Sequence, residues 1–197
     1  MHATSRQDIP TDQEVVSAVL AGDRDRFRLL VERYHRRLYR TMLGLCGGAL
    51  DAEDVTQEAF TRAYAALSTF RLDLPFYPWL HTIAHNLYVS RAARAAKLRL
   101  VSLDADTEQG RDESDPWLVD PSDGPAALSE REAVREALWA AVRALPEEFQ
   151  SVFIMRVVHD MSYLEISQAT DLPIGTVKSR LARARDRLAA ILAAELS

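Results

Sequence analysis

The side chains best suited to bind nucleic acid lie together on one helical segment near the carboxyl end of the chain. Apolar residues recur there from Ile174 to Leu192 at the spacing of an amphipathic helix. A second face of this predicted helix is cationic. Its polar side chains are Thr176, Arg180, Arg183 and Arg187, flanked by Lys178, Ser179 and Arg185. A face of this kind can meet the phosphates and base edges of DNA, so these residues are candidates for DNA binding.

The segment before the basic helix predicts a short helix and a tight turn. Ser162 and Glu165 have the S-x-x-E spacing of a capping box, which begins a helix by satisfying its first free amides. Asp171, Leu172 and Pro173 then end it, because proline disfavours helix in the residue before it. A helix–turn–helix unit places its second helix in the major groove of DNA. A plain pair of helices with a solvated arginine face is the alternative interpretation.

A second group of candidates joins aromatic rings to a cationic track. The aromatic residues are Phe70, Phe76, Tyr77, Trp79 and Tyr88. They precede four basic residues, which are Arg91, Arg94, Lys97 and Arg99. Single-stranded DNA binding needs both parts, because bases stack on rings while phosphates contact arginine and lysine. The alternative is that the rings belong to the hydrophobic core, and for Trp79 both interpretations fit its apolar neighbours.

The sequence offers little support for a catalytic function. His81 and His85 have the i, i+4 spacing that can place two imidazoles on one metal, but the motif HTIAH lacks the glutamate of metalloproteases. The acids between positions 51 and 58 crowd one or two helical turns, without a Glu-x-x-His partner on another helix. Nucleotide-binding glycine motifs and nucleophile elbows do not occur. We therefore expect no enzyme activity, no cofactor and no metal site, with both histidines at the surface or near DNA.

The distribution of charge along the chain is more informative than its sum. The net charge of −5 argues against sequence-blind coating of nucleic acid. The segments 71–99 and 174–187 nevertheless each contain five basic residues and one acid. Residues 100–132, between them, contain ten acids and two bases. The pattern indicates two DNA-facing modules on an acidic tether.

Length and composition suit one or two small globular domains in the cytoplasm. The chain has 197 residues, of which 48% are hydrophobic and 27% are charged. A single cysteine, Cys46, excludes an internal disulfide and a multi-cysteine zinc site, as expected in a reducing compartment. The sequence has no apolar run of about 18 residues, and its first residues lack the apolar core of a signal peptide. We therefore expect no membrane insertion.

Hydrophobic periodicity and helix-breaking residues predict an all-α fold of two small helical domains joined by a flexible acidic linker. Residues 1–11 are expected to form a disordered tail, 12–98 an N-terminal helical bundle, 99–128 the linker and 129–197 the helix–turn–helix domain. Asp51 is the expected N-cap of the third helix. The predicted helices cover about 12–21, 27–45, 51–67, 78–96, 129–144, 147–158, 162–169 and 174–194.

Four stretches of the chain resemble the extracytoplasmic-function (ECF) sigma factors, a compact two-domain group of the sigma-70 family of bacterial promoter-recognition subunits. These stretches are LLVERYHRRLYR, DAEDVTQEAFTRAYAAL, PWLHTIAHNLYVSRAAR and LPEEFQSVFIMRVVHDMSYLEISQATDLPIGTVKSRLARARDRL, in the family's order. The resemblance implies a factor that directs core RNA polymerase to promoters by recognising the −35 element and opening the −10 region. It also implies an anti-sigma factor as a partner.

The resemblance further implies a role for each group of candidates. Residues expected to read the −35 element are Thr176, Lys178, Ser179, Arg180 and Arg183. Residues expected to read the −10 element are Asn86, Arg91, Arg94 and Trp79. The loop from Phe70 to Tyr77 would hold a base flipped from its strand. Residues expected to dock on the polymerase clamp are Asp54, Gln57 and Glu58, which share one helical face. For the docking residues, a solvated first turn of a helix is the alternative.

Some positions depart from the family pattern. His85 stands where arginine is usual, and Ser90 stands where aspartate is usual. Thr170 and Asp171 replace an apolar residue and a glycine at the corner of the helix–turn–helix, although aspartate tolerates the left-handed conformation better than most residues.

A stand-alone helix–turn–helix regulator and an α-helical protein-interaction bundle are the alternative functions. A plain regulator does not need a second DNA-facing surface within residues 70–94.

Overall fold

Every regular element in the described parts of the chain is helical, which confirms the all-α prediction. The computed structural model describes residues 9–101 and 125–195. Most of the predicted disordered tail and most of the predicted linker fall on residues outside those ranges, although Thr11, predicted as tail, is the N-cap of the first helix. The helices are α1 (Asp12–Leu20), α2 (Phe27–Cys46), α3 (Ala49–Ala65), α4 (Phe76–Val101), α5 (Pro125–Arg143), α6 (Glu147–Phe153), α7 (Tyr163–Thr170) and α8 (Ile174–Glu195).

The first four helices form a bundle whose core lies between α2, α3 and α4. Leu38, Met42, Ala59 and Leu80 are fully buried there. Buried apolar residues recur at helical spacing along each of these helices, so each helix turns one apolar stripe inward and leaves a polar face outside. The outward faces of α3 and α4 carry the acidic and basic candidates of this domain.

Helix α3 begins earlier than predicted, and Asp51 is not its N-cap. Gly48 occupies that position with extended backbone, at φ −142° and ψ 139°. The preceding Gly47 ends α2 at φ 73°, a left-handed conformation that favours glycine. Asp51 instead lies in the first turn of α3, where the helix dipole favours a negative charge.

Helix α4 extends beyond the predicted 78–96 at both ends. Phe76 and Tyr77 belong to its first turn rather than to the preceding loop, and both are buried. Pro78 is tolerated beside them because the first amides of a helix have no intrahelical partner. At the other end, a run rich in alanine, arginine and leucine has high helix propensity. Helix α5 likewise begins at Pro125 rather than near 129, consistent with proline at the first helical position.

The second domain packs α5, α6 and α7 around the apolar face of α8. Helix α6 passes at Phe153 into a π-helical turn, Ile154–Val158, so the predicted helix 147–158 has two parts. Helix α7 begins with the predicted capping box, in which Ser162 Oγ accepts a hydrogen bond from the Glu165 amide at 3.2 Å. Asp171 ends this helix in the left-handed conformation, at φ 55°.

The two domains contact each other in the described structure. Helix α4 packs against α6 and α7, and α2 packs against α5. Trp139 of α5 lies against Gly44 of α2, and Arg143 Nη1 donates to the Gly44 carbonyl oxygen at 2.6 Å. The charge pattern had indicated two modules on a tether, and it contained no sign of this contact.

We expect Gly44→Ala to destabilise the contact between the domains. A Cβ atom at this position would lie 2.2 Å from Trp139 Cε2, so the indole ring or α2 must move. Overpacking of this kind costs about 1–3 kcal/mol, which should appear as a lower free energy of unfolding in urea. Gly48→Ala is the matched control, because no atom of the described residues lies within 4 Å of a Cβ built there. An equal loss in both variants would contradict the expectation.

Candidate functional site

Helix α8 presents the predicted cationic face outward. Its opposite face is buried in the second domain through Val177, Leu181, Ala184 and Leu188. Among the candidates, those exposed to solvent are Lys178, Ser179 and Arg183, and those partly buried are Thr176 and Arg180. The polar side chains of α8 therefore face away from the core, as insertion of this helix into a DNA groove requires.

The turn between α7 and α8 holds this face in one orientation. Ser167 Oγ donates to the Leu172 carbonyl oxygen at 2.5 Å. The amides of Thr176 and Val177 donate to the Pro173 carbonyl oxygen at 2.8 and 3.1 Å. These bonds satisfy backbone groups at the end of one helix and the beginning of the next. The orientation of the cationic face is thus set by the backbone and not by flexible side chains alone.

Arg180 already has an anionic partner. Its Nη2 atom lies 3.3 Å from Oε2 of Glu148 on α6, and its side chain retains 26% exposure. Lys178 Nζ lies 5.8 Å from the ring centre of Tyr163 on α7. Both partners come from other helices, so the spacing of residues along α8 did not reveal them. To bind DNA, Arg180 must leave its ion pair with Glu148 and contact a base or a phosphate instead.

The candidates on α4 form an ion-pair network with those on α3. Asn86 and Arg94 are exposed, whereas Arg91 is partly buried. Arg91 Nη2 lies 2.7 Å from Glu58 Oε2, and Arg91 Nη1 lies 3.8 Å from Asp54 Oδ2. Two predicted polymerase-binding acids therefore pair with an arginine predicted to read the −10 element. The spacing of residues along one helix does not reveal this link, because the partners lie on different helices.

The acidic face of α3 is accessible, and one of its carboxylates has two arginine partners. Glu58 lies between two arginines, because its Oε1 atom also accepts from Arg62 Nη2 at 2.5 Å. Hydrogen bonds from Arg91 and Arg62 lower the pKa of Glu58 below its usual value, so the carboxylate stays charged at neutral pH. Asp54 and Gln57 are exposed beside it. The face offers carboxylate oxygens to a cationic partner.

The aromatic candidates pack on one another at the start of α4. Phe70, Phe76 and Tyr77 are buried, so their rings belong to the core of the first domain. The Trp79 ring is only partly buried, with its centre 5.1 Å from that of Phe70 and 5.6 Å from that of Phe76. Of these four rings, Trp79 retains the most surface on which a base could stack.

Candidates from both domains meet at one open cleft. Its volume is about 580 Å³, and its lining includes Asn86 of α4, Glu148 of α6 and Arg180 of α8. This volume suits a small molecule rather than a DNA duplex. The structure thus brings together Asn86 and Arg180, which the sequence places in separate domains.

Both histidines of the HTIAH motif are buried, so the expectation of surface histidines was wrong. His81 is 0% exposed and His85 is 2% exposed. They lie on the face of α4 that packs against the second domain, where His85 Nε2 is 3.0 Å from Gln150 Oε1. A third imidazole, His159 of the second domain, lies 5.2 Å from the His81 ring, centre to centre. No local pattern in the sequence indicated that these three histidines would lie close together.

Neither a metal cluster nor a membrane-spanning helix is found in residues 9–101 and 125–195. Across those ranges, His, Cys, Asp and Glu side chains do not form any group of three or more that could hold a metal ion. Over the same ranges, each helix is too short or too polar to cross a bilayer.

Both domains match one family of known proteins. The family model of sigma-70 region 2 matches residues 30–98, and that of sigma-70 region 4 matches residues 135–188. The ECF RNA polymerase sigma-E factor of Escherichia coli strain K12 is 34% identical over 178 residues, which cover 90% of this chain and 92% of that protein. The RNA polymerase sigma-H factor of Pseudomonas aeruginosa is 33% identical over 181 residues, covering 90% and 91% of the two chains.

A solved structure shares the fold. The sigma factor RpoE from Bartonella quintana, in complex with the anti-sigma factor NepR, superposes with a TM-score of 0.62. The match covers 84% of this chain and 96% of that chain at 21% sequence identity. The likeness therefore extends over both helical domains.

Proposed function

Because the chain belongs to the ECF sigma factors of the sigma-70 family and acts with RNA polymerase in promoter-specific transcription initiation, we propose how its two domains divide that function. Residues 12–98, as sigma region 2, bind core polymerase and open the −10 region. Residues 129–197, as sigma region 4, read the −35 element, and residues 99–128 connect the two. The polymerase carries out the chemistry of RNA synthesis, so this chain needs no catalytic residue.

The assignment of the −35 element depends chiefly on the outward cationic face of α8. Arg183 and Lys178 are exposed there, and the turn after α7 holds the helix at its first residues. Arginine can bind base edges or phosphates, and Thr176 and Ser179 add hydroxyl groups that can donate to either. Arg180 can also contact DNA once its ion pair with Glu148 is broken.

The −10 assignment rests on the outward side of α4. Asn86 and Arg94 are exposed along this helix, and Trp79 is partly exposed near its beginning. A melted strand can stack a base on an aromatic ring while its phosphates contact arginine. These side chains therefore suit single-stranded rather than duplex DNA.

The ion pairs of Arg91 connect polymerase binding to −10 recognition. We assign the docking face on α3 to Asp54, Gln57 and Glu58, of which Glu58 and Asp54 contact Arg91. Cationic residues of the polymerase would compete for these carboxylates. When the cationic residues of the polymerase bind these carboxylates, Arg91 would be released and could contact DNA phosphates. Recognition of the −10 element would therefore follow docking on the polymerase.

Two further features of the function follow from the family. We infer that the protein acts in the cytoplasm, where bacterial RNA polymerase transcribes the genome. We also infer an anti-sigma partner, because the Bartonella quintana sigma factor that shares this fold was solved in complex with one. A partner of this kind would restrain the protein until it is needed.

Run-off transcription tests the proposed function directly. Core polymerase would be mixed with this protein and a pool of promoter fragments from the same organism. We expect discrete transcripts that require the protein and that share a −35 and a −10 sequence. If no transcript forms and the protein alone binds a palindromic duplex tightly, the function is that of a stand-alone helix–turn–helix regulator.

A further inference from the structure

Three imidazole rings lie at the contact between the two domains. On α4, Tyr77, His81 and His85 follow one another at intervals of four residues and face the second domain. His159 reaches the same place from the segment after the π-helical turn. The centre of the His81 ring lies 5.2 Å from that of His159 and 6.0 Å from that of His85. The closed arrangement therefore depends on packing imidazoles away from water.

The hydrogen bonds of His159 select its neutral form. Arg37 Nε, on α2, donates to His159 Nδ1 at 3.3 Å, and Arg37 Nη2 donates to the His159 carbonyl oxygen at 2.9 Å. His159 Nε2 lies 3.1 Å from Tyr77 Oη and 3.2 Å from Thr41 Oγ1. A proton on Nδ1 would remove the bond from Arg37 and bring two cations into contact. Burial and the Arg37 charge lower the pKa of His159 to about 3.

His81 has even less capacity to carry a charge. It is 0% exposed, and neither of its ring nitrogens has a hydrogen-bond partner among the residues that the structure describes. Burial lowers the pKa of His81 well below its usual value, and electrostatic interactions with His159, His85 and Arg37 lower it further. An imidazolium at this site would be desolvated without an anion to offset the cost.

The pKa of His85 is also lowered, although two neighbouring groups oppose the decrease. Its Nε2 atom lies 3.0 Å from Gln150 Oε1, and Gln150 Nε2 in turn donates to the Val142 carbonyl oxygen at 3.0 Å. Burial lowers the pKa of His85, while the Gln150 bond and the charge of Glu147 on α6 act against the decrease. Tyr88 is its remaining aromatic neighbour, 6.2 Å away between ring centres.

We propose that His81, His85 and His159 form a pH-dependent latch that holds the two domains together when the imidazoles are neutral and releases them when the imidazoles are protonated. In the separated state the rings would be hydrated and titrate near pH 6.5. The closed state binds protons less readily, so its full stability is present above about pH 6.5 and is lost as the pH falls below it. Each histidine can shift the equilibrium up to about tenfold per pH unit in that range.

Separation of the domains matters for promoter binding. Asn86 and Arg180 line one cleft in the closed state. The −35 and −10 elements are about 25 base pairs apart, which is roughly 85 Å at 3.4 Å per base pair. Residues that share one cleft cannot span that distance, so the closed state cannot read both elements at once. Release of the latch would precede recognition of a complete promoter.

The distance between the domains can be measured by pulsed electron paramagnetic resonance on the free, full-length protein. Spin labels would be attached through Ala65→Cys on α3 and Ala190→Cys on α8, both exposed positions, with Cys46→Ser to remove the native thiol. We expect one short distance at pH 8 and a growing population of longer distances between pH 6.5 and 5.5. Far-UV circular dichroism would show that the helices persist.

Two variants test whether the three histidines cause the pH-dependent separation of the domains. The double variant His81→Leu and His159→Gln should stay closed to a lower pH than the native chain, because only His85 is left in the latch to take up a proton. The control, His35→Gln, should respond as the native chain does, because His35 is only partly buried on α2 and pairs with Glu53 away from this contact. A distance that does not change with pH, or a double variant that opens like the native chain, would overturn the proposal.

If the helices unfold below pH 6, a permanent charge at position 81 tests the proposal without acid. Arginine stays protonated in proteins. His81→Arg should therefore open the domains at pH 8, whereas the neutral His81→Met should leave them closed. A closed His81→Arg protein would also overturn the proposal. These measurements involve neither DNA nor polymerase, so their outcome is separate from that of the proposed promoter-reading residues.

Discussion

Replacement of both Arg180 and Arg183 by alanine is expected to lower transcription from a promoter that depends on its −35 element by about 30-fold or more. Each arginine that contacts a base contributes about 1–3 kcal/mol, and two such losses at the lower limit correspond to that factor. Binding to core polymerase should not change, because the docking face lies on α3 in the other domain. Run-off transcription and a polymerase-binding assay on the same preparation measure the two effects.

Two single variants separate loss of DNA contacts from other consequences. Glu148→Gln removes the ion pair of Arg180 while keeping the arginine, so it should preserve or increase binding to a −35 duplex. Arg28→Ala removes an exposed arginine on α2, where it pairs with Glu32, and should leave transcription unchanged. Equal losses in Arg28→Ala and in the double variant would indicate a nonspecific effect of charge. Loss of polymerase binding in the double variant would show that α8 has been assigned wrongly.

Replacement of both Asp54 and Glu58 by alanine is expected to weaken binding to core polymerase by about 30-fold or more, since truncating a charge pair desolvated in an interface costs about 2–5 kcal/mol. Asp54 is exposed, and Glu58 is held ionised by its arginine partners, so both can meet a cationic surface. A titration of fluorescently labelled protein with core polymerase measures the change. An unchanged dissociation constant would contradict the docking assignment.

The same double variant also frees Arg91, and this needs its own control. Arg91→Ala removes the partner of Glu58 and Asp54 but leaves both carboxylates in place. If docking depends on the carboxylates, Arg91→Ala should bind core polymerase at least as tightly as the native chain. It should lose −10-dependent strand opening, because the arginine is then absent. A loss of polymerase binding in Arg91→Ala would instead indicate that the network supports the shape of the domain.

Features encoded within a few residues were predicted well. The capping box of Ser162 and Glu165, the end of α7 at Asp171 and most of the apolar stripe of α8 were predicted from the sequence and are present in the structure. The exception is Ile174, the first residue of the predicted stripe, which is 40% exposed. Capping and turn formation depend on side chains near the backbone groups that they satisfy. The error at Asp51 has the same local origin, because the two glycines before it allow α3 to begin sooner.

Contacts between helices were not predicted. The pair Arg180–Glu148 joins α8 to α6, and Arg91–Glu58 joins α4 to α3. Each partner alone resembles an ordinary charged residue on a solvated helical face. Which charges meet depends on how the helices cross, and this depends on the fit of apolar side chains throughout the core.

The amino-acid sequence by itself determined the all-α class, the cationic face of α8 and the acidic face of α3, because helical periodicity and charge are properties of single elements. Only the tertiary structure decided that His81 and His85 are buried with His159, and that Asn86 and Arg180 share a cleft. Imidazole is polar enough for a surface and apolar enough for an interface, so its sequence position leaves both outcomes open. The choice was made when the face of α4 that carries His81 and His85 packed against the second domain and water was excluded from between them.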